Sequence, residues 1–255
     1  PIELKRGMEK AVKALVSKLK ENSQPISSLE DIRHIAEISA NGDEVIGRLV
    51  SSAIEQAGKD GAIQVNEGRG LETTLDIIEG FQFDSGYVAS AFITDERRGV
   101  VSHNEPLVLV TDYKVETIEN MLPVLETVAR DGRPLVIVAD AVEGQALAAL
   151  IMNTVRGSIK IVAIKAPRYG NERRNILQDL AITVGATFIS RESGVPLKDI
   201  KLEHLGQCKS IEVSKSNTII IGGKGSCEDI DKRIEALQAE LRQTESLHEC
   251  ERIQE

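Results

Sequence analysis

Residues 106–140, PLVLVTDYKVETIENMLPVLETVARDGRPLVIVAD, place two short apolar runs on either side of a segment with helical periodicity. The first run covers residues 107–110 and the second covers residues 135–139. Between them, residues 115–130 carry apolar side chains at spacings of three and four, which predicts a helix. Short, nearly continuous apolar strands that alternate with helices are typical of a parallel sheet covered on both faces. The segment therefore predicts an α/β fold.

The same alternation continues to residue 190, and strand and helix patterns recur beyond it. The further predicted elements are strands at residues 161–164, 187–190, 211–213 and 218–221, and helices over residues 142–156, 173–183 and 228–242. The predicted fold class is α/β, with a mainly parallel sheet flanked by helices plus extra strands. A small helical segment precedes this sheet.

Residues 1–60 form that helical segment and predict three helices. The first has an apolar stripe at spacings of three and four, made of Leu4, Met8, Ala11, Leu15 and Leu19. Ser27 and Glu30 have the spacing of a capping box and predict the start of the second helix. Asn41 and Gly42 end it, and the third helix continues over residues 45–54.

Residues 62–88 change to extended segments punctuated by glycine. Strands are predicted at residues 63–65 and 74–78, and Gly80 interrupts the second run. A glycine inside a strand pattern marks a bulge, a bend or a hinge, because glycine takes unusual backbone dihedrals freely.

The bulk composition argues against several classes of protein. A formal net charge of −9 over 255 residues argues against a general nucleic-acid binder, which needs a basic face to neutralise phosphates. No apolar run approaches the roughly 20 residues that span a bilayer, and the start shows no signal-peptide pattern. Three cysteines make no disulfide framework and favour a reducing compartment. The chain lacks an initiator Met and stops inside a charged run, so we expect a piece of a longer protein.

The sequence contains no complete catalytic or metal-binding motif. Residues 222–225, GGKG, lack the spacing of a phosphate-binding loop, so a hairpin or loop turn is expected there. His204 with Cys208, and His248 with Cys250, supply too few convergent ligands for a structural zinc site. We therefore predict no catalytic residue and no metal, and we expect Cys208 to be a small core residue.

Two neighbouring helices carry more apolar surface than a helix packed on a sheet requires. The apolar run at residues 146–152 covers the whole circumference of the second helix at about 100° per residue. Leu147, Ile151 and Val155 recur on one side of it. The first helix is apolar over about half its circumference, through Ile118, Met121, Leu122, Val124, Leu125 and Val128. Two interpretations stay open: an exposed groove that binds a partner, or faces covered by a third layer of the same domain.

Segments along essentially the whole chain resemble the group I chaperonins, the GroEL family. The matching segments are ISAN at residues 38–41, IEGFQFD at 78–84, MLPVLE at 121–126, EGQAL at 143–147, KAP at 165–167 and LGQ at 205–207. The resemblance implies that residues 1–79 are the first intermediate-domain segment, with three helices and a strand. It implies that residues 80–255 are the apical substrate-binding domain, with Gly80 as the hinge, and that the equatorial ATPase domain is absent.

The resemblance places the substrate-binding and co-chaperonin-binding positions on seven residues. They are Tyr87, Phe92, Leu122, Leu125, Leu147, Ile151 and Met152. The last five belong to the two helices with surplus apolar surface. In the family, this surface binds unfolded polypeptides and then the mobile loop of a GroES-like co-chaperonin. The resemblance thus implies a chaperone module that assists protein folding without chemistry of its own.

Further expectations concern the full-length parent. It is expected to be a homo-oligomeric ring ATPase that uses ATP and Mg²⁺. The fragment itself is expected to hold no cofactor, to bind neither nucleic acid nor membrane, and to lack the catalytic aspartate. The expected location is the cytoplasm, or an organelle matrix in a eukaryote. One alternative is a dedicated adaptor that binds a single partner through the same groove; another, a nucleotide-dependent α/β enzyme, needs a phosphate loop that the sequence lacks.

The sequence departs from the family pattern in four places. Ala91 stands where an aromatic is common, and Ser85 replaces a usual arginine, which puts an inter-subunit salt bridge in doubt. RYG at residues 168–170 replaces the common Gly-Phe-Gly and adds charge. Met152 replaces a β-branched residue, so we expect a more adaptable groove.

Overall fold

The computed structural model describes residues 2–26, 28–58, 63, 65, 72–77, 80–244, 250 and 253. The chain divides into two compact units, one within residues 1–77 and the other within residues 78–253. The assignment of these units to the intermediate and apical domains of a chaperonin stays a prediction. Within the described residues, no helix is both long and apolar enough to cross a membrane.

The first unit contains the three predicted helices, α1 (Ile2–Asn22), α2 (Leu29–Ser39) and α3 (Glu44–Ala57). Helix α2 packs on α3 where Gly47 is buried, and a Cβ at Gly47 would lie 2.3 Å from Cγ of Glu37. The glycine therefore permits the close approach of the two helices. In contrast, none of the 21 residues of α1 is buried, and its apolar stripe is exposed.

The capping box of α2 lies one residue later than predicted. The Ser28 hydroxyl accepts a hydrogen bond from the Asp31 N–H at 3.1 Å, and the Ser28 N–H donates to the Asp31 carboxylate at 3.1 Å. The predicted partner Ser27 lies outside the described residues. Two overlapping pairs, Ser27 with Glu30 and Ser28 with Asp31, have the same spacing, so spacing alone could not separate them.

The two strands predicted in residues 62–78 are not found where the structure describes this segment. Residues 63, 65 and 72–77 are described and belong to no strand, whereas residues 64 and 78 lie outside the described part. A strand is defined by hydrogen bonds to a neighbour, and none of these described residues pairs with one. The prediction of a strand in the first unit is therefore wrong for the residues that can be checked.

The second unit is built on a seven-stranded mixed sheet and a small two-stranded parallel sheet. The strands are β1 (Phe81–Phe83), β2 (Val101–Asn104), β3 (Leu107–Val110), β4 (Lys114–Val115), β5 (Leu135–Ala139), β6 (Ala141–Val142), β7 (Ile161–Lys165), β8 (Gly206–Val213) and β9 (Thr218–Gly223). The large sheet has the order β1-β9-β8-β3-β5-β7, and β2 pairs with β8. Strands β3, β5 and β7 are parallel, and the remaining pairs are antiparallel.

Four helices connect or flank these strands. They are α4 (Leu122–Asp131), α5 (Gly144–Val155), α6 (Gly170–Val184) and α7 (Cys227–Gln243). Every residue of β3 and β5 is buried, as are all residues of β7 except Lys165. Such burial is what continuous apolar strands require. The predicted α/β fold, with parallel strands, flanking helices and extra strands, is confirmed.

Two predicted elements differ from the structure. The helix predicted from residue 115 begins at Leu122, because Lys114 and Val115 pair as β4 with β6 and residues 118–120 form a 3₁₀ turn. Pro123 lies in the first turn of α4, where the missing N–H of proline does no harm. The strand predicted at residues 187–190 is reduced to one parallel bridge between Thr111 and Ile189.

The glycine-rich segment 222–225 ends β9 and leads into α7, and so is a loop turn rather than a hairpin turn. The Gly225 N–H donates to the Thr183 carbonyl at 2.9 Å. A Cβ at Gly225 would lie 2.0 Å from the Ile182 carbonyl oxygen, and a Cβ at Gly223 would lie 2.3 Å from that of Thr183. The glycines therefore allow the loop to cross the last turn of α6 at close range.

Gly80, the predicted hinge, has a positive φ of 151°. A Cβ at this position would lie 2.0 Å from the Ile220 carbonyl oxygen of β9. Both features require glycine. A role as a hinge stays a prediction.

Candidate functional site

The two apolar helices α4 and α5 each follow a strand of the small parallel sheet. Strand β4 leads to α4 and strand β6 leads to α5, and the two strands pair in parallel. The Glu143 N–H donates to the Val115 carbonyl at 3.0 Å, and the Ala146 N–H donates to the Glu116 carbonyl at 3.0 Å. The first turn of α5 is thus anchored to the segment that precedes α4.

The inner faces of both helices belong to the core. On α5, Ala146 and Leu150 are fully buried, and on α4, Val124 and Val128 are 2% and 0% exposed. Small and branched side chains on these faces allow close packing on the sheet. Ala146 and Leu150 therefore form the buried side of α5.

The outer face of α5 is open along its length. Leu147 and Ile151 are half-buried against the core, while Met152 is 50% and Val155 is 71% exposed. On α4, Leu122 is 46% exposed. We call the five residues Leu122, Leu147, Ile151, Met152 and Val155 the α4–α5 surface. It presents apolar side chains to water on two helices.

Leu125 and Phe92 do not belong to this surface. Leu125 is 5% exposed and Phe92 is 1% exposed, so both side chains are part of the core. Helix α4 is contacted by 3₁₀ turns at Leu197–Asp199 and Leu202–His204, which supply the additional layer that the second interpretation required. The expectation that Leu125 lines an open groove is therefore wrong, because its side chain is buried in the core.

Tyr87 lies beside the sheet rather than on either helix. Its backbone N–H donates to the Ser214 carbonyl at 3.2 Å, and it forms a single antiparallel bridge with Ile164 of β7. Its side chain is half-buried against the core. Nearby in sequence, the Ser85 hydroxyl donates to the Lys165 carbonyl at 2.5 Å. Ser85, where the family commonly has arginine, thus ties the end of β1 to the end of β7.

The sequence also singled out histidine and cysteine pairs. Nδ1 of His204 accepts the Lys201 N–H at 3.0 Å, which occupies one of its two ring nitrogens. Cys208 is fully buried in β8, and burial raises the pKa of its thiol to about 11. Its role as a small core residue is confirmed. Among the described residues, no group of three or more His, Cys, Asp or Glu is arranged to hold a metal ion, and His248 lies outside them.

A polar region beyond the carboxyl ends of the parallel strands was not predicted from the sequence. Asp112 follows β3 and Asp140 follows β5, and Arg173 of α6 forms an ion pair with Asp140. Burial raises the pKa of the Asp112 carboxyl against the opposing effect of Arg174. Two cavities of about 480 and 530 Å³ lie in this region, and neither is lined by a residue of α4 or α5. The only signal in the sequence was the position of charged residues directly after buried strands.

Comparison with known protein families gives one match that covers most of the chain. The model of the TCP-1/cpn60 chaperonin family matches residues 1–230. The chain belongs to the TCP-1/cpn60 chaperonin family. The match extends through both compact units and into α7. Family membership supports a chaperonin role in protein folding, and it agrees with the chaperonin resemblance seen in the sequence.

Proposed function

We propose that this chain is the polypeptide-binding part of a group I chaperonin subunit and captures non-native polypeptides on the α4–α5 surface. The observation that carries the proposal is the open outer face of α5, where Met152 and Val155 are half or more exposed above a fully buried inner face. Contiguous exposed apolar surface marks interaction sites. The flexible Met152 side chain suits partners of varied shape.

Binding on this surface needs no chemical step. Covering the exposed half of a leucine or methionine side chain contributes about 1 kcal/mol, from the value for full burial. A few such contacts give weak binding for one chain. Several copies in a homo-oligomeric ring would bind one unfolded chain much more tightly, because the second contact is made at high effective concentration.

The same surface is proposed to bind the mobile loop of a GroES-like co-chaperonin. Competition between that loop and the substrate would release the substrate. ATP and Mg²⁺ are proposed to act in the full-length parent, and the 255 residues are proposed to bind polypeptides without hydrolysing a nucleotide.

The test replaces Met152 by Glu and measures binding of reduced, carboxymethylated α-lactalbumin, which is permanently unfolded. A charge at this half-exposed position is expected to weaken binding while the unfolding midpoint stays unchanged. Ile234→Glu on α7 is the matched control, since Ile234 is also an exposed apolar helix residue, at 40%. Equal loss in both variants, or none in Met152→Glu, would argue against the proposal.

A panel of unrelated unfolded proteins separates the proposal from its alternative. A promiscuous chaperone surface is expected to bind most of the panel with similar affinity. A dedicated adaptor would bind one member and ignore the others.

A further inference from the structure

A cavity of about 480 Å³ lies between helix α6 and residues 188–193, the segment that contains the Thr111–Ile189 bridge. Its residues come from one face of α6 and from residues 188–193. The α6 residues recur at spacings of three and four, so they lie on one side of the helix. No residue of the α4–α5 surface takes part.

Three carboxamides form a row along this face of α6. Asn171, Asn175 and Gln178 are exposed, line the cavity, and make no side-chain hydrogen bond within the described part of the chain. Each carboxamide offers a carbonyl acceptor and an NH₂ donor. A row of such groups can therefore pair with the N–H and C=O of another backbone, whatever its side chains are.

The spacing of the row fits an extended backbone. Asn171 and Asn175 are four residues apart, which is about 6 Å along a helix. Backbone groups on one side of an extended chain repeat every two residues, at about 6.7 Å. Gln178 follows after about 4.5 Å, and its additional methylene group extends its reach toward the next repeat. The row spans about 10 Å, which matches roughly three extended residues.

The opposite wall of the cavity is held in place by its own contacts. Ser190 and Ser193 exchange hydrogen bonds, with Ser193 Oγ accepting the Ser190 N–H at 3.0 Å and Ser190 Oγ accepting the Ser193 N–H at 3.2 Å. Arg174 of α6 reaches across to Glu192 with an N–O distance of 2.5 Å. The half-buried ring of Phe188 also lines the cavity and offers an apolar contact for one side chain. These contacts hold the backbone of residues 190–193 beside α6.

We propose that this carboxamide-lined cavity is a second polypeptide site, which binds a short extended segment through its backbone. The proposal goes beyond the α4–α5 surface and does not depend on it. The α4–α5 surface selects apolar side chains, whereas the carboxamide row recognises the peptide unit itself. A polypeptide that contacts both the α4–α5 surface and the carboxamide row would be bound largely independently of its sequence.

The experiment is an NMR titration of the full chain that follows the side-chain NH₂ signals of Asn175 and Gln178. The probe is a short blocked peptide of alternating serine and valine, and the control probe is the same peptide with alternate backbone nitrogens methylated. The parent peptide is expected to shift these signals to saturation. Methylation is expected to weaken binding by roughly tenfold, as the loss of one or two hydrogen bonds predicts.

Variants of α6 complete the test. Asn175→Ala combined with Gln178→Ala is expected to weaken binding of the parent peptide by roughly tenfold. Alanine favours helix at exposed positions, so α6 stays intact. Gln238→Ala, at an exposed glutamine of α7, is the matched control and should bind as the unmodified chain does.

Three results would overturn the proposal: no shift of the two side chains, equal binding of the methylated peptide, or loss of probe binding in Met152→Glu. The last result would place the peptide on the α4–α5 surface instead. Conversely, failure of Met152→Glu to affect α-lactalbumin would count against the proposed function alone, because the α6 signals are read separately.

Discussion

Single residues on α4 and α5 with similar apolar chemistry lie in opposite environments. Leu125 is 5% exposed and Met152 is 50% exposed. Loss of a buried side chain leaves a cavity, whereas loss of an exposed one leaves water in contact with a slightly smaller surface. The two positions therefore separate stability from binding.

Replacement of Leu125 by Ala is expected to lower the free energy of unfolding by about 2–4 kcal/mol, as for other large-to-small core substitutions. Met152→Ala is expected to change it by less than about 1 kcal/mol, because the side chain is half-exposed. Urea denaturation followed by circular dichroism measures both values. An unchanged free energy of unfolding in Leu125→Ala would mean that α4 is not packed as described.

His103 on β2 gives the fold a predicted sensitivity to acid. Its side chain is 7% exposed, Nε2 has no hydrogen-bond partner among the described residues, and burial together with nearby Lys160 lowers its pKa from 6.5 to about 4. In the unfolded chain the imidazole takes up a proton near pH 6.5, whereas in the folded chain it stays neutral down to about pH 4. The stability that the neutral His103 side chain contributes is therefore fully present above pH 6.5 and is lost as the pH falls from 6.5 toward 4.

Protonation of His103 is expected to lower the free energy of unfolding by as much as about 3 kcal/mol. Unfolding free energies measured in urea between pH 7 and pH 4 test it, with His103→Gln as the comparison. The variant should lack this part of the pH dependence. Burial raises the pKa of the Asp112 carboxyl, so its contribution to stability increases as the pH falls. Asp112 is present in both proteins, so its contribution cancels in the comparison. Parallel pH profiles would exclude the assigned role of His103.

Among the structural elements, the continuous apolar strands were the most predictable. Residues 107–110 and 135–139 were predicted with the observed bounds, because a strand buried on both faces can carry no polar residue. The start of α4 was not predictable in this way. Residues 115–121 share the apolar periodicity of the helix, but pairing of β4 with β6 decides their structure, and that pairing is a tertiary contact.

The candidate site was only partly predictable for the same reason. Periodicity identified the excess of apolar residues on α4 and α5, and it marked Met152 and Leu122. It could not show that 3₁₀ turns from residues 197–204 contact α4, since those turns come from a distant part of the chain. Asn175 and Gln178 of the carboxamide row lay within the helix predicted at residues 173–183, whereas Asn171 lay before its start. The cavity beside the row depends on residues 188–193, which come from another part of the chain.

The loop between β9 and α7 offers a test of element packing. Gly225→Ala would place a Cβ 2.0 Å from the Ile182 carbonyl oxygen, so the loop or the end of α6 must shift. We expect a destabilisation of about 1–3 kcal/mol, as for other overpacked sites. Thermal unfolding measures it. Gly7→Ala, at an open position of α1, serves as the control and should not destabilise the chain. An unchanged unfolding temperature in Gly225→Ala would contradict the packing role assigned to Gly225.

Across the whole molecule, the apolar core is concentrated in the second unit. Its contiguous cluster runs from Phe83 to Ile220, whereas among the described residues of the first unit only Gly47 and Ala53 are buried. The proposed binding surface thus lies on the unit that contains this core, with the side chains of Met152 and Val155 exposed. A net charge of −9 over the chain adds a general attraction for basic unfolded segments at low salt.

Site-specific photo-crosslinking to reduced, carboxymethylated α-lactalbumin shows where on the chain an unfolded polypeptide binds. A benzophenone amino acid is placed at residue 152 or 155 of α5, and at residue 234 of α7 as the control. If polypeptides bind on the α4–α5 surface, we expect strong crosslinks from residues 152 and 155 that decrease as unlabelled unfolded protein is added, and few from residue 234. Equal crosslinking from all three positions, or crosslinks from residue 234 alone, would contradict it.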